Sequence, residues 1–587
     1  MWGTKPGIDK TTGTRNQIPL VRRPPLRTVE RHPLLWLRTK PLRRQDGRSP
    51  EHCPDRRGAQ VGTRTPVLPP SNAASTDEPA EKPAAPTKAT AASQPAKEET
   101  QYAAAVPPKS ESTGSKLPPP APIFNKWDKP DLMLVLSGEQ KGYLEPCGCS
   151  ATQSGGFSRR ANFFQQLADK HWPVLPIDLG HTLLRTSREQ DAIKFESILK
   201  GMREMKYAGL GIGTTELTIG PTKLLEVYQP NEPDSLPFLS ANIVFFDAPD
   251  LGTPVPFRVV TVNGVKVAIT SILGKKYRED LYGDKNGNDQ VKITDPAEAL
   301  TKLLPKLKAE SPDLMVLLSE APVAESKELA EKFPEFKIVL TAGGAEDGDD
   351  KPIVVGKSWV ISVGAKGKHI GGVGYYKDKP LKYELVDLDN QRFQDTPVMR
   401  ELMRYYQEQI KANDLVAKTS VEKTPRDSSY VGAKKCAQCH SKAYAKWQNS
   451  GHSHAYESLE KGRKGQEMTW ISRVHDPECL ACHVTGWDPQ HIIRFASGFE
   501  SPEKTPNLMG QQCENCHGPG SKHVEFELVY KKNRKTTDDL NQWRKEMHLD
   551  PQIAKSKVCI QCHDPDNSPK FVFEEYWKKI DHKGMRD

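Results

Sequence analysis

Cys436-Ala437-Gln438-Cys439-His440 is the first of four segments with one pattern, two cysteines three positions apart followed directly by histidine. The others are Cys479-Leu480-Ala481-Cys482-His483, Cys513-Glu514-Asn515-Cys516-His517 and Cys559-Ile560-Gln561-Cys562-His563. Two cysteines at this spacing can each form a thioether with a haem vinyl group, and the next residue then presents an imidazole to the iron. The pattern predicts four covalently attached haems c, with these eight cysteines as attachment sites and four proximal ligands: His440, His483, His517 and His563.

A pair of zinc ribbons built from the same cysteines is the alternative interpretation. Zinc binding does not require a histidine directly after the second cysteine, yet all four pairs have one. The segments begin 43, 34 and 46 residues apart. The repetition therefore favours haem.

Each iron also needs a sixth ligand or an open face. Histidine on both faces favours low-spin iron and electron transfer, whereas an open face allows a small molecule to bind. The pair His452 and His454 comes soon after the first motif and can reach back to an iron. His523 closely follows Gly518-Pro519-Gly520, and His582 lies on an aromatic segment. We predict as distal ligands His452 or His454, His523 and His582; alternatives are His475, His491 and His548. No catalytic side chain is predicted.

Residues around these motifs resemble the tetrahaem cytochromes that carry electrons from hydroxylamine oxidation. The resemblance covers roughly 431–587 and rests on Trp447, Ser450, Ala455, Asp476-Pro477-Glu478-Cys479, the run 513–523 and Asn567-Ser568-Pro569. It implies periplasmic electron transfer to redox partner proteins. It also implies that most haems have two histidine ligands and that one can lack a strong distal ligand. With so few residues per haem, we expect short helices and loops in a tetrahaem domain over 431–587, unfolded without haem.

Residues 128–392 alternate apolar strands with helical segments, which predicts an α/β sandwich. Order should begin near Asp131. Continuous strands are predicted at 237–245 and 352–362, and one amphipathic helix at 396–417, inside a linking helix and connector that spans 393–430.

This sandwich resembles the metallophosphatase domain of 5′-nucleotidases, through Gly155-Gly156-Phe157-Ser158, Asp178-Leu179-Gly180 and Ala241-Asn242. Active members of that family hold two metal ions at the strand ends. Here Glu139-Gln140-Lys141-Gly142 replaces Asp-x-His-Gly, Gly180-His181 replaces Gly-Asp, and Gly213-Thr214-Thr215-Glu216 replaces Gly-Asn-His-Glu. A lysine in a ligand position repels a dication, and the side chains that could still coordinate are Glu139, His181, Glu320 and Glu346. The resemblance implies a degenerate domain, used for docking or ligand binding.

Residues 1–65 form a basic tail, and 66–125 a linker rich in Pro and Ala, both expected to be disordered. Residues 1–60 hold 14 Lys/Arg and 5 Asp/Glu, which accounts for the whole net charge of +9. Because the rest is neutral, nucleic-acid binding is not predicted. Contact of the tail with an anionic membrane surface is an alternative role. Haem attachment implies export, although the tail has no apolar signal-peptide core.

Cys147-Gly148-Cys149 is either a pair of loop thiols, a local disulfide, or a metal or redox site, and Cys53 lies in the tail.

Three functions are compatible with these residues. The first is electron transfer through four haems, with the α/β domain recognising a partner. The second is a redox enzyme that acts on a small nitrogen or sulfur compound at one open haem. The third is a surviving phosphohydrolase.

Overall fold

The computed structural model describes residues 120–146, 153–186, 188–228, 235–462, 468–585 and 587. The predicted tail, nearly all of the linker, and Cys53, Cys147 and Cys149 lie outside these ranges. The described residues belong to one compact unit. None of the helices in these ranges has the length and apolar character to cross a bilayer.

Two six-stranded mixed sheets form the centre of the α/β domain. The first has the order β14-β13-β1-β2-β3-β4 and the second β11-β12-β10-β9-β7-β6, while β5 and β8 pair separately. Strands β1 to β4 are parallel, as are β7, β9, β10 and β12, and the outer pairings are antiparallel. The strands are β1 Leu132–Ser137, β2 Val174–Asp178, β3 Leu210–Gly211, β4 Phe238–Leu239, β5 Ile243–Phe245, β6 Arg258–Val262, β7 Val265–Leu273, β8 Val291–Ile293, β9 Leu314–Glu320, β10 Phe336–Thr341, β11 Ile353–Val355, β12 Ser358–Ile361, β13 His369–Tyr375 and β14 Lys382–Asp387.

Helices cover the outer faces of both sheets. Alternation along β1 sends Leu132, Leu134 and Leu136 toward the second sheet, and Met133 and Val135 toward α1 on the opposite face. The predicted α/β sandwich is therefore confirmed, as four layers. The helices are α1 Phe157–Asp169, α2 Glu189–Glu204, α3 Thr214–Ile219, α4 Pro221–Val227, α5 Lys275–Tyr282, α6 Pro296–Ala309, α7 Val323–Lys332, α8 Pro397–Ala412 and α9 Leu415–Lys418.

Three details differ from the sequence-based expectations. The packed chain begins before Asp131, because Ile123 and Phe124 are 3% and 2% exposed in the core beside α1. The segment 237–245 is broken into β4 and β5, and 352–362 is the antiparallel hairpin β11-β12. The helix expected over 396–417 is interrupted at Asp414, whose φ of 48° is left-handed and incompatible with a continuing helix.

Short helices and loops make up the C-terminal region, as predicted. Its apolar cluster is small and centres on Leu480, Val484, Trp487 and Phe499. Neither α15 nor α18 has a buried residue, although α18 carries Tyr576 and Trp577. The elements are α10 Ala433–Cys436, α11 Ser441–Gln448, α12 Ala455–Lys461, α13 Pro477–His483, α14 Cys513–His517, α15 Ser521–Asn533, α16 Asp538–Glu546, α17 Pro551–Ile553, α18 Phe573–Ile580, β15 Val421–Glu422, β16 Trp487–Asp488 and β17 Ile493–Phe495.

Candidate functional site

Each of three motif histidines has its Nδ1 within hydrogen-bonding distance of a nearby oxygen. The distances are 2.7 Å from His483 to the Ala455 carbonyl and 2.6 Å from His517 to the Met547 carbonyl. His563 lies 3.1 Å from the Ser568 hydroxyl. A carbonyl can only accept, so Nδ1 of His483 and of His517 donates, which leaves Nε2 as the free ligand atom.

Three motif histidines face a second histidine at nearly the same separation. The ring centres are 6.5 Å apart for His440 and His523, 6.0 Å for His563 and His452, and 5.8 Å for His517 and His582. A metal–imidazole bond is about 2 Å long, so two imidazoles on opposite sides of one iron place their ring centres about 6 Å apart. The three separations fit an iron between each pair.

The remaining histidines are placed differently. Among the described histidines, none makes a ring contact with His483. The side chain of His454 is 66% exposed and pairs with Glu457 at 3.1 Å, and that of His491 is 71% exposed and pairs with Asp488 at 2.9 Å. The two histidines of the His-x-His pair therefore differ. The ring of His452 faces the motif histidine His563, whereas the side chain of His454 is exposed to solvent.

The residues present fit haem in their chemistry as well as their spacing. Burial lowers the pKa of His452 to about 4 and also lowers the pKa values of His483, His517, His523 and His563. Neutral imidazole is the form that binds a metal. The eight motif cysteines are not joined in disulfides, and Nδ1 of His523 is buried with no partner among the described residues.

Cysteines of different motifs lie close to one another. The thiols of Cys436 and Cys513 lie within reach of one another, as do those of Cys482 and Cys562. Nε2 of Gln511 spans the second pair by donating to the Cys482 carbonyl at 2.7 Å and lying 3.9 Å from Sγ of Cys562. The first motif thus adjoins the third, and the second adjoins the fourth.

In the α/β domain, three residues predicted as possible metal ligands, Glu139, His181 and Glu320, lie beside charged partners. Nδ1 of His181 lies 3.1 Å from Oε1 of Glu320, and Lys141 pairs with Glu139 at 3.4 Å. Burial raises the pKa of Glu320 to about 7, an effect that His181 opposes. Glu139, Lys141 and His181 all have positive φ, a costly conformation for residues with a side chain. These loops therefore contain strained residues, and their charged side chains pair with one another.

Other polar side chains at this edge have structural partners. Glu216 accepts hydrogen bonds from the backbone N–H of Gly213, His181 and Thr182, at 2.9, 3.1 and 2.8 Å. Asn242 bonds the backbone of β7. Within the described ranges, no group of three or more His, Cys, Asp or Glu is arranged to hold a metal ion.

Contacts between the α/β domain and the C-terminal region concentrate on two segments that sequence reasoning did not identify as functional. One is 473–478, directly before Cys479, which is bound by α2, α8 and Glu145. The other carries Asp566, which accepts from Tyr143 at 2.9 Å and pairs with Lys366 at 2.6 Å. The sequence resemblance includes Asp476-Pro477-Glu478 of the first segment. It did not indicate which residues of the α/β domain bind that segment.

Residues 435–518 match the family model described as cytochrome c554 and c-prime. This region is cytochrome c554-like. Cytochrome c-554 of Nitrosomonas europaea is 26% identical over 182 residues, which cover 28% of this chain and 72% of that protein. The family resemblance implies covalently bound haem c in the cytochrome c554-like region.

The α/β domain has relatives of a different kind. An apyrase of Aedes aegypti is 26% identical over 196 residues, covering 32% of this chain and 30% of the apyrase. A 5′-nucleotidase precursor of Thermus thermophilus has a similar structure, with a TM-score of 0.42 and 19% identity over 50% of this chain and 61% of that one. The chain spans less than two thirds of the length of either protein.

Proposed function

We propose that this protein transfers electrons through four covalently bound haems. The three histidine pairs with ring centres 5.8 to 6.5 Å apart carry the proposal. His440 with His523, His563 with His452, and His517 with His582 would hold three irons on both faces, and His483 would hold the fourth. Haem supplies reversible one-electron chemistry, and two imidazole ligands keep iron low-spin.

The protein side chains orient the ligands and hold the four sites together. Carbonyls of Ala455 and Met547 accept the Nδ1 protons of His483 and His517, which fixes the direction of both rings. The contacts between neighbouring motifs support electron transfer along the series, because attachment sites that lie close together would bring their haems close together. Redox partner proteins and a periplasmic or otherwise exported location belong to the same proposal.

A redox titration followed by optical and EPR spectra, together with the mass of the exported chain, tests this function. We expect added mass equal to four haems and at least three low-spin irons. A chain that lacks haem or carries zinc would contradict the proposal.

A second candidate function rests on His483, which has no histidine facing it among the described residues. An open iron there would bind a small nitrogen or sulfur compound and make the protein a redox enzyme. Addition of carbon monoxide to the reduced protein tests this candidate: one haem should respond. Four unreactive haems would remove it.

We further propose that the α/β domain serves for docking or ligand binding and lacks phosphohydrolase activity. The support is that His181 pairs with Glu320 and Lys141 with Glu139, so these groups neutralise one another. A nucleotide hydrolysis assay with and without divalent metal should show no metal-dependent turnover. Turnover that requires metal and is lost in Glu320→Gln would contradict this.

A further inference from the structure

The second haem motif is attached to the α/β domain by partly buried charges. Glu478 immediately precedes Cys479, and its carboxylate accepts from Arg188 and from Lys194, each at 2.6 Å. Both cations come from α2 or the residue before it, and the Lys194 side chain is only 11% exposed. The first turn of the helix that carries this motif is thus held from outside the cytochrome c554-like region.

Neighbouring groups complete this attachment. Oδ1 of Asp476 accepts the N–H of Glu478 at 3.0 Å, which caps the motif helix. The two oxygens of Asp476 also accept from Gln190 at 2.8 Å and from Gln407 at 2.9 Å, on α2 and α8. Arg473 pairs with Glu145. Every residue that anchors the segment 473–478 in this way belongs to the α/β domain or to the helix that follows it.

The third motif shows the contrast. Its Glu514 accepts from the backbone N–H of Val431, Gly432 and Gly520 at 2.7 to 3.0 Å, and all three belong to the C-terminal region, residues 431–587. That carboxylate has no cationic partner among these bonds. The binding of Glu478 by Arg188 and Lys194, here called the charged clamp, therefore distinguishes the second motif from the third. The second motif is also the one whose histidine, His483, faces no other histidine among the described residues.

We infer that Arg188 and Lys194 are positioning residues for the second haem, which fix the Cys479–His483 helix through Glu478 and set the reduction potential of that haem. This inference rests on the proposed function. Reduction adds an electron, so a nearby cation favours the reduced haem and a nearby carboxylate favours the oxidised haem. In a poorly hydrated site such charges act strongly.

Removing the cation and removing the carboxylate of the charged clamp should shift the reduction potential in opposite directions. In the full haem-loaded protein, Lys194→Met should lower one of the four midpoint potentials, and Glu478→Gln should raise the same one. Lys194→Arg keeps the positive charge and should leave this midpoint potential at its original value. A purely structural role would instead shift the potential in the same direction in both variants, because either change would loosen the same helix.

Glu189→Gln is the matched control, because Glu189 lies on α2 but pairs with Lys418 at 2.8 Å with both side chains about half exposed. It should leave all four potentials unchanged. The potentials are measured by redox titration with EPR detection, and haem content by mass. Shifts in the same direction, or none, in a protein with four haems would overturn this inference alone. Fewer than four haems in the unaltered protein would overturn the proposed function instead.

Discussion

The α/β domain and the cytochrome c554-like region bury their apolar surface in different ways. In the α/β domain, two sheets and their covering helices enclose large side chains such as Phe195 and Phe238, which are 0% and 1% exposed. In the C-terminal region, α15 and α18 bury no residue against protein, and pairs of histidine rings face one another. The first region forms its core from its own side chains, whereas we expect the second to need bound porphyrins as part of its core.

The largest expected effect comes from preventing haem attachment. If all eight motif cysteines are replaced by serine, we expect residues 431–587 to unfold while the α/β domain stays folded. Limited proteolysis with mass spectrometry would show digestion of the C-terminal region and a resistant fragment that includes β1 to β14. Equal resistance of both regions, in this variant and in the haem-loaded protein, would contradict the comparison.

The second effect concerns a single iron. Removing the ring that faces His440, by His523→Ala, should convert one haem to high spin, since its iron would lose an imidazole ligand. EPR measures the new signal. His454→Ala is the control, because His454 is exposed and makes no ring contact with a motif histidine. A spin change in the control but not in His523→Ala would show that the ligands are assigned wrongly.

A third test addresses the α/β core. Phe195→Ala should lower the free energy of unfolding of this domain by about 3 to 5 kcal/mol, because it leaves a cavity among packed side chains. Urea unfolding followed by circular dichroism measures the change. Val354→Ala, at a position 66% exposed, should change it by less than about 0.5 kcal/mol. Similar losses in the two variants would argue against a tightly packed core.

The smallest expected effect is the pH dependence of the contact between the two regions. Burial alone would raise the pKa of Glu478, but Lys194 and Arg188 outweigh it and lower the pKa to about 2. A lowered carboxyl pKa gives stability that is present above the unfolded value, near 4.5, and is lost as the pH falls toward 2.

The size of that contribution is on the order of 3 kcal/mol. Urea unfolding at pH 6 and pH 3 should show a loss in the unaltered protein that is smaller in Glu478→Gln. Glu457→Gln is a matched control on the surface, where an exposed pair with Lys461 contributes little. An equal loss in the unaltered protein and in Glu478→Gln would mean that Glu478 does not make this contribution.

The candidate haem residues illustrate how far sequence reasoning reaches. The four motifs are local, so the spacing of Cys436, Cys439 and His440 is enough to predict haem attachment. The selection of His523 and His582 relied on nearby residues, and the structure places both opposite motif histidines. The choice between His452 and His454 was left open, because only the direction of each side chain in the fold separates them.

Contacts across long stretches of chain could not be predicted in the same way. Lys194 and Glu478 are 284 positions apart, and Lys366 and Asp566 are 200 apart. Neither lysine belongs to a recognisable pattern. The early start of the packed chain at Ile123 was missed for a related reason, since its burial depends on a groove formed by β1 and α1.

By itself, the sequence determined the haem motifs and the alternating strands and helices, because each depends on residues close together in the chain. Only the tertiary structure decided which histidines face one another, that His181 pairs with Glu320, and that α2 holds the second haem motif. These depend on how distant segments pack, and packing is settled by the burial and charge of the whole unit rather than by any local pattern.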